Sequence, residues 1–546
     1  MMKVVRCIDL KKHIRNMAFF LFMIITVSLI ASCKEDDGSG YIFKMNIENN
    51  PQNLDPQMAE DSESMMVIVN MMEGLMKIDA KGAIVPAAAE SFEMSEDGLT
   101  YTFRLRQDRK WESVLEDFSA QVTADDFVFA FQRIFDAETE SPYSDDYMCI
   151  KNGEAVLNGT LPMSELGVRA ADAYTVEFTL EYPYYDFLKL LTGTAAMPCC
   201  REFFELSKGR YGMAADAAAS NGAFYLKEWN FDPYWDNNYI IMRRNKSYSE
   251  SSYVYPYSVN FFITGDSSAD KEDFSEGNIQ CFVSDEYDEK LFAESSFCQR
   301  EVKTAGLLIN PDYEYFSDKR FREALARSLN RDSYSHKLSY RFSVAYGIIP
   351  TGITVQGTSY RDLSPDRSLS VYDVGAAGIW EKALKSAEIS SVDGVKITVS
   401  ENFLGTETVY DITEQWRSDL LFSCGVETVS QIEYDSKISD GDFSIALVEV
   451  GTDNNSPEGF LEKFCENELF RGSAGLSEDI DGLKKAGSLS EGVEKAGKIE
   501  EKIIGEYIFI PVCYESEYLV YDGNAAELVY YPFNRTVWFG DAKYFD

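Results

Sequence analysis

The chain has 546 residues, 45% of them hydrophobic and 14% aromatic, and a formal net charge of −40. That length exceeds what one hydrophobic core ordinarily organises, so two or three globular domains are expected and a disordered chain is excluded. So large an excess of acid argues against nucleic acid or an anionic membrane surface as partner, and mildly favours cationic solutes.

The first 32 residues stand apart from the globular body. Lys3, Arg6, Lys11, Lys12 and Arg15 precede the apolar run "MAFFLFMIITVSLI", and "IASC" follows. A basic segment, a short apolar segment and small residues in that order read as a secretory signal over 1–32, too short for a comfortable membrane span. Ala31 and Ser32 before Cys33 look like a bacterial lipobox, which makes Cys33 the expected lipidation site and 33–40 ("CKEDDGSG") a flexible tether. Removing residues 1–32 takes away five basic residues and one acidic one, so the mature charge falls from −40 to −44.

From residue 41 the chain opens with a strand, a Pro/Asn turn at "NPQNLDP" and an apolar helix over 62–73. "PAAAESFEMSEDGLTYTFRLRQDRKW" reads as a hairpin turning at "SEDG", with Tyr101, Phe103 and Leu105 alternating against Thr102, Arg104 and Arg106. "VTADDFVFAFQRIFD" is a helix. Thr123 and Asp126 fit a capping box, and Phe127, Val128, Ala130, Phe131, Ile134 and Phe135 form one apolar face, which is core.

"LGVRAADAYTVEFTLEYPYYDFLKLL" reads as strand, turn, helix, and "NGAFYLKEWNFDPYWDNNYIIMRRNKSY" as an antiparallel pair. "SDKRFREALARSLNRDSY" is a helix with Phe321, Ala324, Leu325 and Leu329 inward and its arginines outward. Phe443–Val450 is a buried strand running into the turn residues Gly451 to Asn455, which places Asp453 where that strand ends. "SEGVEKAGKIEEKIIGEYIFIPVCYESEYLVY" is a helix delivering the chain into another buried strand. Helices and strands alternate throughout, so the class is α/β with mixed sheets.

The usual catalytic toolkit is nearly empty. Of two histidines, His13 leaves with the signal, and a single His336 supports neither a multi-histidine zinc site nor an H-E-x-x-H motif. No G-x-S-x-G, Walker A loop or G-x-G-x-x-G occurs. Ten cysteines include Cys7 in the signal and Cys33; the other eight are too sparse for a disulfide scaffold, and the adjacent Cys199 and Cys200 are expected as free thiols. No catalytic residue, metal or cofactor is therefore expected, and the chain reads as a binder.

The stretches "LDPQ", "EGL", "PAAAESFEMSEDGLTYTFRLRQDRKW", "VTADDFVFAFQRI", "SPYS", "LGVRAADAYTVEFTLEYP", "NGAFYLKEW", "FREALARSLNR" and "IPVCY" occur in one order over about 41–520. In that colinear order the chain resembles the lipid-anchored oligopeptide-binding proteins of bacterial ABC importers, the peptide/nickel group of extracytoplasmic solute-binding proteins. The resemblance implies a large three-lobed periplasmic-binding-protein-like fold (type II, α/β) with a closing inter-lobe cleft. Lobe I would hold 34–73, 194–304 and 519–546, lobe II 74–193 and lobe III 305–518.

It also implies a monomer that takes a peptide ligand by strand addition between lobes and delivers it to ABC permease subunits in the membrane, with no nucleic acid partner. The same fold used as a receptor for a signalling peptide or other solute is the alternative reading, and a lipid-anchored hydrolase the third. In the family, an acidic residue in a small-x-Asp-x-x-x-Pro-x-x-Phe-Leu segment pairs with the peptide ammonium; Gly451, Asp453, Pro457, Phe460 and Leu461 occupy those places here. Read from the segment alone, Asp453 caps its own turn. The resemblance further implies ligand contacts at Asn454, Tyr143, Tyr434 and the backbone of Glu60, Asp61 and Ser62. Val450 and Leu447 stand where many members carry Trp and Arg, and "NGA" replaces "NGP".

Overall fold

The computed structural model describes residues 40–545 except 116, 235–236, 249–253, 339–340, 365–371, 404–405, 453 and 467–475. The signal sequence, Cys33 and Asp453 lie outside the described residues. The body is the compact unit Tyr41–Asp546.

Its strands are β1 (Ile42–Ile47), β2 (Ala89–Met94), β3 (Thr100–Leu105), β4 (Val168–Asp172), β5 (Thr175–Thr179), β6 (Phe224–Asn230), β7 (Asn238–Arg244), β8 (Ser258–Ile263), β9 (Cys281–Ser284), β10 (Ser296–Ile309), β11 (Phe342–Val344), β12 (Lys396–Ser400), β13 (Gly425–Val429), β14 (Ile445–Gly451) and β15 (Phe509–Tyr521), with several shorter pairs besides. The longer helices are α1 (Ser62–Met71), α2 (Ala124–Ile134), α3 (Lys319–Arg327), α4 (Ala376–Ser386), α5 (Thr406–Leu420), α6 (Gln431–Asp440), α7 (Pro457–Glu466), α8 (Leu476–Lys484) and α9 (Leu489–Gly505).

One mixed sheet runs the length of the body in the order β6-β7-β8-β1-β9-β15-β10-β14-β12-β13, with β11 also on β15. A separate four-stranded sheet, β2-β3-β5-β4, is the expected hairpin joined by a second one. The stretch read as a single strand before "EYP" is therefore two strands, β4 and β5, because Asp172–Tyr174 turn the chain back: the Asp172 carboxylate accepts from Tyr174 N–H at 2.8 Å.

β10 and β15 hold the two ends of the large sheet together. They are 14 and 13 residues long and pair antiparallel. β15 is buried on both faces up to Val520, as a central strand requires. Side chains alternate along β10: Ala305, Leu307 and Ile309 join one apolar cluster with Trp380 and Trp416, and Leu308 joins another with Phe460 and Phe509. The largest cluster lies at the other end of the sheet, where Phe43, Phe103 and Phe127 gather with Leu519 and Val537. The body thus has a first half (residues 41–284 and 519–545) and a second half (305–513), bridged by two strands. Pro511 is tolerated in β15 because the register shifts beside it, and its partner Gly306 has to be glycine: a Cβ there would lie 2.3 Å from the Phe509 ring.

The capping box at Thr123 and Asp126 is present on α2, and its apolar face is buried. On α3 the apolar face is as expected, but the arginines are not all outward. Arg322 is buried and donates to the carbonyls of Phe316 and Glu506; Arg331, just beyond, is buried and donates to Ala345 and Pro511 at 2.8 and 2.6 Å. Carbonyl oxygens that the surrounding loops and β15 leave unpaired need donors, and a guanidinium supplies several in one plane. His336 is exposed. The eight described cysteines are free thiols, Cys199 and Cys200 among them.

Candidate functional site

A cavity of about 2050 Å³ opens where the two halves face each other. The first half contributes Glu60, Ser62, Tyr143, Asp146 and Lys189; the second contributes Thr354, Asn454, Glu458, Glu462 and Lys484, and the chain after β15 adds Tyr531 and Trp538. Carboxylates outnumber lysines and arginines along this lining.

Glu60 and Ser62 line the cavity, and the Ser62 hydroxyl donates to Glu63 at 2.8 Å. Asp61 between them is the N-cap of α1: its carboxylate accepts from Ser64 N–H at 2.8 Å, which occupies its side chain with the helix terminus. Tyr143 lines the cavity and donates its hydroxyl to Ala59 O. Burial, then the neighbouring charges of Glu60, Asp146 and Asp61, hold its phenol well above the ordinary range, so it stays neutral.

Asn454 lines the cavity next to Asn455 and Ser456, its N–H bonded to Thr452 Oγ1 at 3.0 Å. Ser456 Oγ in turn accepts from Gly459 N–H at 3.0 Å and so starts α7. Tyr434 does not line this cavity. It faces a second one of about 440 Å³ with Leu447, Val450, Gly451 and Phe464, and donates to Leu447 O at 2.6 Å. Glu466 lines both cavities. Leu447 and Val450, where the resemblance implies Arg and Trp, line that second cavity together with polar residues such as Gln431, Glu449 and Lys463.

Several cavity residues carry no sequence signal. Asp146 is raised above the usual carboxylate range by burial; Lys484 pulls it down, Asp145 and Glu462 push it up. Glu462 and Lys484 are an ion pair between α7 and α8. A carboxylate from residue 146 facing charges at 462 and 484 is a product of folding, and no spacing in the chain announces it. Among the described residues, no group of His, Cys, Asp and Glu is arranged to hold a metal ion, and no helix is long and apolar enough to cross a membrane. A polar, tyrosine-rich cavity with walls from two halves and no cluster of activated nucleophiles can enclose and orient a solute.

The motifs that carried the resemblance mostly hold one another. Asp55 and Gln57 of "LDPQ" take the guanidinium of Arg133 from "VTADDFVFAFQRI", with Nη1 at 2.7 and 2.8 Å. Ser141 of "SPYS" donates to Gln57 O at 2.7 Å. Glu73 of "EGL" pairs with Arg109 at 2.7 Å, while Asn221 of "NGAFYLKEW" brackets the Glu73 backbone with two bonds of 2.9 Å. They are staples of the first half, and only the fringe of each reaches the cavity.

Residues 83–469 match the family described as bacterial extracellular solute-binding proteins, family 5, middle. The dipeptide-binding protein DppE of Bacillus subtilis is 25% identical over 507 residues, covering 90% of each chain. The oligopeptide-binding protein OppA of the same organism is 25% identical over 537 residues, 94% of each. Among solved structures, the murein tripeptide binding protein MppA in its unliganded open form superposes with a TM-score of 0.72 at 20% identity, over 93% of this chain and 99% of that one. Haemophilus influenzae OppA in complex with the peptide RPPGFSPFR gives 0.64 at 23%, over 93% and 99%.

Proposed function

This chain belongs to the bacterial extracellular solute-binding proteins of family 5, and from that premise we propose that it captures short peptides in the cavity between its halves and hands them to a membrane ABC importer. Membership makes it an extracytoplasmic binding protein and not an enzyme. The observation that carries the peptide reading is the cavity of about 2050 Å³ whose walls come jointly from residues 60–197 and 351–484. Such a site grips a ligand fully only when both walls engage it, so the ligand favours the closed arrangement over the open one.

The division into lobes 34–73 with 194–304 and 519–546, 74–193, and 305–518 fits this mechanism, because both exchanges between the first and third lobes then fall inside β10 and β15. These two strands act as the hinge. Asp453, at the strand end before Asn454, takes the peptide ammonium, and the backbone around Glu60–Ser62 pairs with the peptide. Cys33 carries the lipid that keeps the protein at the outer face of the cell membrane.

Native mass spectrometry of the protein purified without denaturation, followed by calorimetry with trialanine to pentaalanine, tests the reading. Peptide adducts of one per chain, and titration without consumption of the peptide, are expected. No binding to any of these peptides, or their hydrolysis by the protein, overturns it.

A further inference from the structure

Three segments far apart in the chain meet at one edge of the cavity. Lys189, from the first half, is only 10% exposed; its ammonium lies 3.5 Å from Asp186 and also donates to the backbone carbonyls of Thr354 and Asn455 in the second half. An ammonium has three donors and no acceptor: two of them go to these carbonyls, and its charge faces the Asp186 carboxylate. The Asn455 side chain accepts from Thr354 N–H at 2.8 Å, bracing the two carbonyl-bearing segments against each other.

One turn further, the hydroxyls of Tyr184 and Tyr185 donate to the two carboxylate oxygens of Glu458 at 2.5 and 3.1 Å, at the start of α7. Tyr185 belongs to the apolar cluster of the second half although its chain segment belongs to the first. Its ring fills a notch in α9 at Gly492, where a Cβ would lie 2.6 Å from it. The notch and the paired hydroxyls make this a built contact, reaching across the two halves without passing through β10 or β15.

We propose that Lys189 is a positioning residue for ligand capture: with Tyr184 and Tyr185 it holds the Asn454–Ser456 segment and the first turn of α7 in their binding geometry on the cavity wall. The segment follows Asp453 directly; Asn454 at its head is exposed, while Ser456 and Glu458 are buried, and the groups that hold Asn455 and Glu458 come from Thr354, Lys189, Tyr184 and Tyr185, not from α7 itself. A buried cation that served stability alone would take partners within its own core. Lys189 instead takes two carbonyls of the opposite half, both in residues that line the cavity. This inference rests on the peptide-binding reading for its affinity arm only.

The test compares wild type, Lys189→Met, Lys189→Arg and Tyr184→Phe by two readouts: amide hydrogen exchange of Asn455–Phe460 in the ligand-free protein, and calorimetric affinity for trialanine. If the segment in Lys189→Met holds its binding geometry a tenth of the time, trialanine affinity falls about tenfold, and its amides exchange faster than in wild type. Lys189→Arg, which keeps donors for both carbonyls, retains most of the wild-type exchange and affinity; Tyr184→Phe, which folds with one hydroxyl less, shows a smaller version of the Lys189→Met losses. Unchanged exchange in Lys189→Met overturns the proposal, whatever the ligand does. Faster exchange with unchanged affinity also overturns it, because the loop would then be braced without serving binding. If wild type itself ignores trialanine, the peptide reading fails and the exchange arm still judges the brace.

Discussion

Arg133 and Lys189 each sit beside a buried aspartate, yet what they hold together differs. Arg133 takes both oxygens of Asp55 and the amide of Gln57, and its guanidinium stacks 4.5 Å from the Phe204 ring, all within the core of the first half. Lys189 takes Asp186 from its own segment and then two carbonyls 165 and 266 residues further along the chain, in the other half. The first contact can be broken only by unfolding the half that contains it. The second can open while both halves stay folded, and a ligand entering between them feels it. Burial alone does not separate the two roles; the ownership of the partners does.

Arg133 should show the largest effect. Arg133→Met leaves Asp55 buried without its counter-charge, and breaking such a pair costs about 3–5 kcal/mol of stability. Urea denaturation should show that loss, while the fraction still folded binds trialanine as wild type does. A variant that keeps its stability but loses affinity would erase the distinction.

Gly492→Ala probes the other side. The added methyl meets the Tyr185 ring at overlap distance, and forcing a side chain out of a packed notch costs about 1–3 kcal/mol. Exchange at Asn455–Phe460 should rise in this variant as it does in Lys189→Met, although no charged group has been touched. Stability lost with that loop's exchange unchanged would confine Tyr185 to core packing.

The smallest effect is a pH dependence. Burial pushes Asp126 and Asp186 up to about 6, Asp126 inside the first half and Asp186, beside Lys189, between the halves. A carboxylate whose folded value is raised binds its proton more tightly in the native state, so stability is diminished above pH 6 and grows as pH falls through that value. Carboxylates held low, such as Glu427 hydrogen-bonded to Lys396 or Asp318 to Arg320, give up their contribution only below about pH 4. Thermal melts from pH 8 to pH 5 should therefore show stability rising, by about 1 kcal/mol for a net shift of one pKa unit. Asp186→Asn should remove part of that slope and leave the Asp126 part in place.

The fold was legible because its signals are local. The alternation Tyr101, Phe103, Leu105, the capping box at Thr123 and Asp126, and the apolar run into β15 each state their structure within a few residues. Even the buried Arg322 and Arg331 missed the outward expectation for a partly nonlocal reason, since the carbonyls that turn them inward include those of Glu506 and Pro511 on distant segments. The cavity was legible only where the family resemblance reached it, at Glu60, Ser62, Tyr143 and Asn454. Tyr434 faces a neighbouring cavity, and Asp61 spends its carboxylate on a helix terminus. Lys189, Glu458 and Asp146 acquire their partners from residues hundreds of positions away, so nothing in their own neighbourhoods marks them.

The most direct measurement of the central claim, a peptide held between the halves by its ammonium, is calorimetry on a two-by-two set: wild type and Asp453→Asn, each with trialanine and with N-acetyl-trialanine. An ammonium at contact distance from a carboxylate is worth about 4 kcal/mol at an effective dielectric near 20 before desolvation, and removing one partner of an enclosed pair costs about 2–5 kcal/mol. Free trialanine should lose affinity on that scale in Asp453→Asn, while the acetylated peptide, weak on wild type, should lose little or nothing further. Equal losses for the two peptides would contradict the account and return Asp453 to the role of a turn cap.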